Sequence, residues 1–279
     1  MTEWMEPDAA DGVVEPGAVV VGVDGTDTAL HAAVWAAGEA AVRGVPVRIL
    51  HAAPYAANPA DAAGRRHARG IVDRARTVVR RQVPAAESRT LLSALPARDA
   101  LTSAARDASL LVLGLIPTES PVAPVLGSIT PAVSADVSCP VVVVRGTAQH
   151  RPGAPVVVGV HTTADDAAAL TAAFEDAARH GSGLVVVHAG GTDRDALAAA
   201  LAPWRDTHPG VPVEYRLGEH NPRDAVLEAA RTARLVVVGT HRHSTTARLL
   251  FGSTSREVLR LSPVPVQVVR PEPAAQAAR

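Results

Sequence analysis

Short runs of valine and leucine alternate with longer alanine-rich stretches along the chain. In the first half the apolar runs fall near residues 18–23, 46–51, 88–92, 109–113 and 140–144, and they predict five buried strands. Between them, Leu30, Val34, Ala37 and Ala41 recur at helical spacing, as do Ile71, Ala75, Val78 and Val79. In the second half Asn221 and Pro222 read as N-cap and first helical residue ahead of Val226, Leu227 and Ala230. Strands that are apolar throughout, joined by connections long enough for right-handed helical crossovers, predict a parallel sheet covered by helices on both faces.

Laid on itself, the chain repeats. "VVVGVDGT" from residue 19 returns as "VVVGVHTT" from residue 156, at an offset of 137, and His51 meets His188 at the same offset. Further on, "ASLLVLG" ending at Gly114 returns as "ARLVVVG" ending at Gly239, now at an offset of 125. That second offset also relates Gly127-Ser128 to Gly252-Ser253, Pro140 to Pro265 and Arg145 to Arg270. The second copy has therefore lost 12 residues between its second and fourth strands. The polar, Gly- and Pro-containing stretch "RGTAQHRPGAP" (residues 145–155) reads as the linker. Each copy is a complete open-sheet domain, expected at residues 16–146 and 155–271.

Composition narrows the chemistry. Among 279 residues, 47% are hydrophobic but only 3% aromatic, so the cores must be built from Val, Leu and Ala. All 27 basic side chains are arginines, and against 28 carboxylates they leave a formal charge of -1. That balance gives no electrostatic reason to expect nucleic acid or an anionic membrane as partner. The absence of lysine excludes an ordinary P-loop NTPase, whose phosphate loop requires one. Cys139 stands alone before Pro140 and reads as an inert buried thiol. The opening stretch is acidic and lacks the apolar core of a signal peptide, and no apolar run reaches membrane-spanning length. A cytoplasmic protein is the resulting expectation.

In a parallel sheet, ligands bind where loops leave the carboxyl ends of the strands. Gly114 and Gly239 end a strand in their respective copies, and Gly127-Ser128 and Gly252-Ser253 precede the last helix, whose first-turn amides can hold a phosphate. The same glycines also suit tight turns alone. At these residues the chain resembles the universal stress protein family in a tandem, two-domain form. The likeness covers about residues 17–145 and 155–270 and includes "GVD", "LLVLG" and "LVVVG", both Gly-Ser pairs, and the closing "CPVVVVR" and "VPVQVVR".

The resemblance implies two Rossmann-like, doubly wound α/β sheets of five parallel strands, each in the order 3-2-1-4-5. It implies pairing of the copies through their last strands as an internal pseudo-dimer, with further pairing between chains as a homodimer. It also implies an adenine nucleotide, ATP, held by Gly, two residues, Gly, nine residues, then Gly-Ser or Gly-Thr, together with the strand-one aspartate. The nucleotide-binding set implied here is Asp24, Gly114, Gly127, Ser128, Gly239, Arg242, Gly252 and Ser253. Both copies depart from that pattern. Pro117 and Arg242 replace the middle glycine, and His161 stands where the first copy has Asp24. Pro117 has no amide hydrogen and restricts the residue before it, which alters the first loop. Arg242 keeps its amide and either approaches a triphosphate as a bidentate donor or extends into solvent. Asp24 in turn is either a ligand contact or a turn former ahead of Thr26. The second copy is thus expected to be the better phosphate binder.

No catalytic constellation emerges: the chain contains no G-x-S-x-G elbow, no H-E-x-x-H and no cysteine cluster. Two readings remain, a nucleotide-binding stress or signalling module and a degenerate relative acting through contacts with other proteins. A minor third arises from His161, His188 and His241, which follow strands one, two and four of the second copy and would meet at one sheet edge, where imidazoles could hold a metal.

Overall fold

The computed structural model describes residues 16–58, 60–115, 129–146, 153–189, 193–218, 221–240 and 252–271. The chain divides into two compact units, Met1–His150 and Arg151–Arg279. Unit one runs β1 (Val19–Gly22), α1 (Asp27–Arg43), β2 (Val47–Ala52), a short 3-10 turn (Pro54–Ala56), α2 (Ala62–Gln82) and β3 (Ser88–Ser93). It continues with α3 (Ala97–Ala104), β4 (Leu110–Leu115), α4 (Ile129–Asp136) and β5 (Val141–Arg145). Unit two runs β6 (Val156–Val160), α5 (Ala167–Arg179), β7 (Leu184–Ala189), α6 (Arg194–Ala200) and α7 (Ala202–Thr207). It continues with β8 (Val213–Gly218), α8 (Pro222–Ala230), β9 (Leu235–Gly239), α9 (Ser253–Leu261) and β10 (Val266–Val269).

Within unit one the strands pair in parallel as β3-β2-β1-β4-β5. Within unit two the parallel neighbours are β8-β7-β6-β9-β10, the same arrangement counted from that unit's own first strand. The central strands are apolar because helices cover both faces: Val19–Val21 and Val156–Val158 are wholly buried. The strands at the far side of each order, β3 and β8, are mostly half-buried and carry short-range ion pairs, Arg89 with Glu87 and Arg216 with Glu214. Charged side chains of this kind keep a strand edge from recruiting another strand.

The 12 missing residues come from one crossover. Thirty-five residues separate β2 from β3, whereas 23 separate β7 from β8. The long α2 is thereby replaced by the short pair α6 and α7.

Helix boundaries follow local chemistry. Thr26 caps α1 by accepting from the Ala29 amide, and Gly44 ends it with a left-handed φ of 67°. Asn221 caps α8 by accepting from the Arg223 amide, with Pro222 at the first helical position, as its sequence predicts. The predicted faces of the first two helices need correction. In α1, Val34 and Ala41 are only half-buried, while Ala33, Trp35 and Ala36 are buried. This helix packs on β1, β4, β5 and α2 and is enclosed on most sides. In α2 the buried stripe is Ala68, Val72, Ala75 and Val79, so Ile71 and Val78 lie at its margin. Cys139 belongs to the core under α3 and α4, and burial pushes its thiol up to about 11.

Candidate functional site

In unit two a cavity of about 350 Å³ opens where the carboxyl ends of β6, β7 and β9 meet the first turns of α8 and α9. Its apolar wall is Val160, Val187, Val226 and Val238, and its polar rim includes His161, Asp166, Gly239 and the run Gly252–Ser255. The structure therefore brings together Gly239, Gly252 and Ser253 of the predicted set. Arg242, Gly127 and Ser128 lie outside the described residues, as do Pro117 and His241.

The two helix starts at this cavity differ. The Asn221 side chain occupies one amide of α8. The cap of α9 is Gly252, which has no side chain to offer, and the first backbone bond of that helix runs from the Arg256 amide to the Gly252 carbonyl at 3.0 Å. The amides of Ser253, Thr254 and Ser255 precede that bond and meet no acceptor among the described residues. Together with the positive end of the helix dipole they form a cradle for an anion. Ser255 is 8% exposed and donates its hydroxyl to the Gly239 carbonyl at 3.2 Å, fixing the start of α9 to the end of β9.

Asp166 is the residue that sequence reasoning missed. It is 2% exposed, and its Oδ2 accepts from the amides of His161 at 2.7 Å and Thr162 at 3.2 Å. Although it stands at the N-cap of α5, its side chain makes no capping bond there and instead turns back to hold the loop after β6. Its Oδ1 lies 2.8 Å from the position a Cβ on Gly239 would take. The adjoining Asp165 does the ordinary work at this turn: Thr162 Oγ1 donates to Asp165 Oδ2 at 2.8 Å and accepts from the Asp165 amide at 3.0 Å.

Unit one organises the equivalent loop differently. Asp24 is exposed, and its Oδ1 accepts from the amide of Thr26 at 3.0 Å and from its hydroxyl at 2.7 Å. It thus forms the predicted turn, with Gly25 at a φ of 91°. Gly114 is needed for close approach, since a Cβ there would stand 3.1 Å from backbone atoms of Thr28 and Ala29.

The repeated histidines are structural in both units. Nδ1 of His51 donates to the Val23 carbonyl at 2.7 Å, and Nδ1 of His188 donates to the Val160 carbonyl at 3.1 Å, each tying the end of strand two to the end of strand one. The carbonyl can only accept, so His51 presents a lone pair on Nε2, which takes the Tyr55 hydroxyl at 2.9 Å. Burial lowers the His51 pKa below the usual imidazole value; the Val23 bond opposes this, His67 adds to it and Asp24 opposes it. Among the described residues no group of three His, Cys, Asp or Glu side chains could hold a metal ion.

Comparison with known proteins places these features. The profile of the universal stress protein family matches residues 17–145 and 189–270. A universal stress protein of Mycolicibacterium smegmatis is 30% identical over 285 residues, which cover 91% of this chain and 97% of that protein. One from Mycobacterium tuberculosis is 29% identical over 285 residues, covering 90% of this chain and 96% of that protein. Among solved structures, a universal stress protein from Archaeoglobus fulgidus superposes with a TM-score of 0.72 at 17% identity, covering 91% of this chain and 98% of that one, a likeness of fold. No helix among the described residues is long and apolar enough to cross a membrane.

Proposed function

Because the chain belongs to the universal stress protein family, we propose that it is a nucleotide-binding stress-response module that takes ATP chiefly in its second unit. The observation that carries this reading is the unit-two cavity, with the uncapped first turn of α9 on one side and an apolar wall of four valines on the other. An anionic group fits the amides of Ser253–Ser255, and a flat apolar body fits the valines. In this reading Arg242, which follows β9 in sequence, is the cationic partner of the phosphate. In unit one the turn at Asp24 suits the nucleoside end, but Pro117 removes a backbone donor from the phosphate loop.

Equilibrium titration of ATP into the full chain tests this. The wild type binds, Arg242→Ala weakens binding about tenfold or more through loss of a charge-assisted contact, and Ser253→Ala weakens it by about two- to tenfold. Asp24→Ala has the smallest effect. A dominant loss from Asp24→Ala would move the site to unit one. A folded wild type that binds no ATP would leave the alternative, a member of the family acting through protein contacts alone.

A further inference from the structure

We infer that Asp166 is the specificity residue of the unit-two cavity, accepting a hydrogen bond from the nucleoside part of the ligand. The inference rests on the nucleotide reading of that site.

The cavity has a polarity that a phosphate alone does not match. At α9 it offers amide donors and the positive end of a helix dipole, and at α8 a second helix start. Asp166, also on its lining, is of opposite character: a carboxylate that can only accept. Burying such a group is unfavourable unless hydrogen bonds surround it, and Oδ2 has the two loop amides of His161 and Thr162. Oδ1 faces Gly239, the residue at which β9 opens into the cavity, and the missing side chain of that glycine is what makes room for it. A carboxylate held this firmly in a cavity that otherwise favours anions repels a simple phosphate. It rewards a ligand that carries an anionic group at one end and an O–H or N–H donor some distance away. A phosphate ester of a nucleoside has this pattern, with donors on the sugar hydroxyls and on the exocyclic amine of the base. Asp166 therefore raises the affinity for nucleoside phosphates over inorganic polyphosphate.

Calorimetric titrations of the full chain with AMP, IMP, 2′,3′-dideoxy-AMP and inorganic tripolyphosphate, each with and without EDTA, test the assignment. Wild type binds AMP, and loses about tenfold or more on removal of whichever donor Asp166 reads, the base amine (IMP) or the sugar hydroxyls (dideoxy-AMP). In Asp166→Asn, AMP weakens by a similar factor, the difference between AMP and that analogue disappears, and tripolyphosphate binds as well as before or more tightly. Equal binding of AMP and both analogues by the wild type overturns the inference without any variant. So does a parallel loss of AMP and tripolyphosphate in Asp166→Asn, which would leave Asp166 as a loop-holding residue. EDTA sensitivity that Asp166→Asn removes would assign the carboxylate to a divalent cation and equally overturn it. A wild type that binds no nucleotide refutes the nucleotide reading itself, a result distinct from all of these.

Discussion

Gly239→Ala tests the packing at the heart of the unit-two site. The new Cβ would stand 2.8 Å from Asp166 Oδ1 and 3.7 Å from the Ala169 Cβ. The first distance is below any ordinary contact, so Asp166 must move. It is the tip of a side chain, but a pinned one: Oδ2 holds the His161 and Thr162 amides, and the residue is 2% exposed. Hydrogen bonds to a charged group contribute about 1.5–3 kcal/mol each. Distorting two of them without breaking both places the expected destabilisation at about 2–3 kcal/mol. Asp166→Ala alone should destabilise by a similar amount, because it removes both charge-assisted bonds that hold the His161 and Thr162 amides. In the double variant the steric conflict is gone, so the cost should fall about 1–2 kcal/mol short of the sum of the single changes. Urea unfolding of the full chain gives the energies, and hydrogen exchange by mass spectrometry should confine the loss of protection to β6, β9 and the start of α5. Additive effects, or a Gly239→Ala destabilisation below about 0.5 kcal/mol, would refute the account of why a glycine stands there.

Two further outcomes follow from buried titrating groups. His51 is more acidic in the folded protein than the ordinary imidazole at 6.5, so its contribution to stability is complete above that value and is lost as pH falls through the folded pKa. Unit one should therefore weaken between about pH 7 and pH 5 by at most about 1.4 kcal/mol per pH unit from this group, and His51→Gln should flatten the dependence; an unchanged pH profile in that variant would contradict the assignment. The Cys139 thiol, raised to about 11 and buried, should react with a disulfide reagent at pH 8 only after unfolding, and rapid labelling of the native protein would show that the core under α3 and α4 opens readily.

The strands were legible in the sequence because both faces of each central strand are covered, which leaves uninterrupted valine and leucine. The repeat made them legible twice, and its change of offset located the shortened crossover that the structure assigns to the connection between β7 and β8. The face of α1 was not legible for the opposite reason: with alanine on nearly every side, spacing cannot distinguish a stripe from a helix enclosed all round. Asp166 was hidden by register. Alignment with α1, which begins at Asp27, would start the second helix at residue 164, yet α5 begins at Ala167. Around that later start Asp165 is exposed, whereas Asp166 is buried and holds the loop after β6. No periodicity distinguishes two adjacent aspartates without knowing where the helix starts.

The glycines at the ends of β4 and β9 show how much a shared motif can mean before any ligand is considered. In each unit the first helix starts over that glycine, and the atoms that would collide with a Cβ come from equivalent places in the chain: backbone of Thr28 and Ala29 in one, the Asp166 side chain in the other. A glycine is required there by helix packing in both, so Gly114 and Gly239 do not by themselves mark a nucleotide site. The differences between the units carry more information. Asp24 is exposed and spends an oxygen on its own turn, whereas Asp166 is buried on a cavity wall and holds its loop from the helix side. If Asp24 only forms a turn, Asp24→Asn, which keeps the acceptor oxygen, should leave ligand binding unchanged. If the carboxylate at Asp166 is chemically required, the same Asp-to-Asn exchange should alter which ligands unit two accepts. The paired exchange separates a residue kept for its shape from one kept for its charge, because asparagine preserves the former in both units and removes the latter.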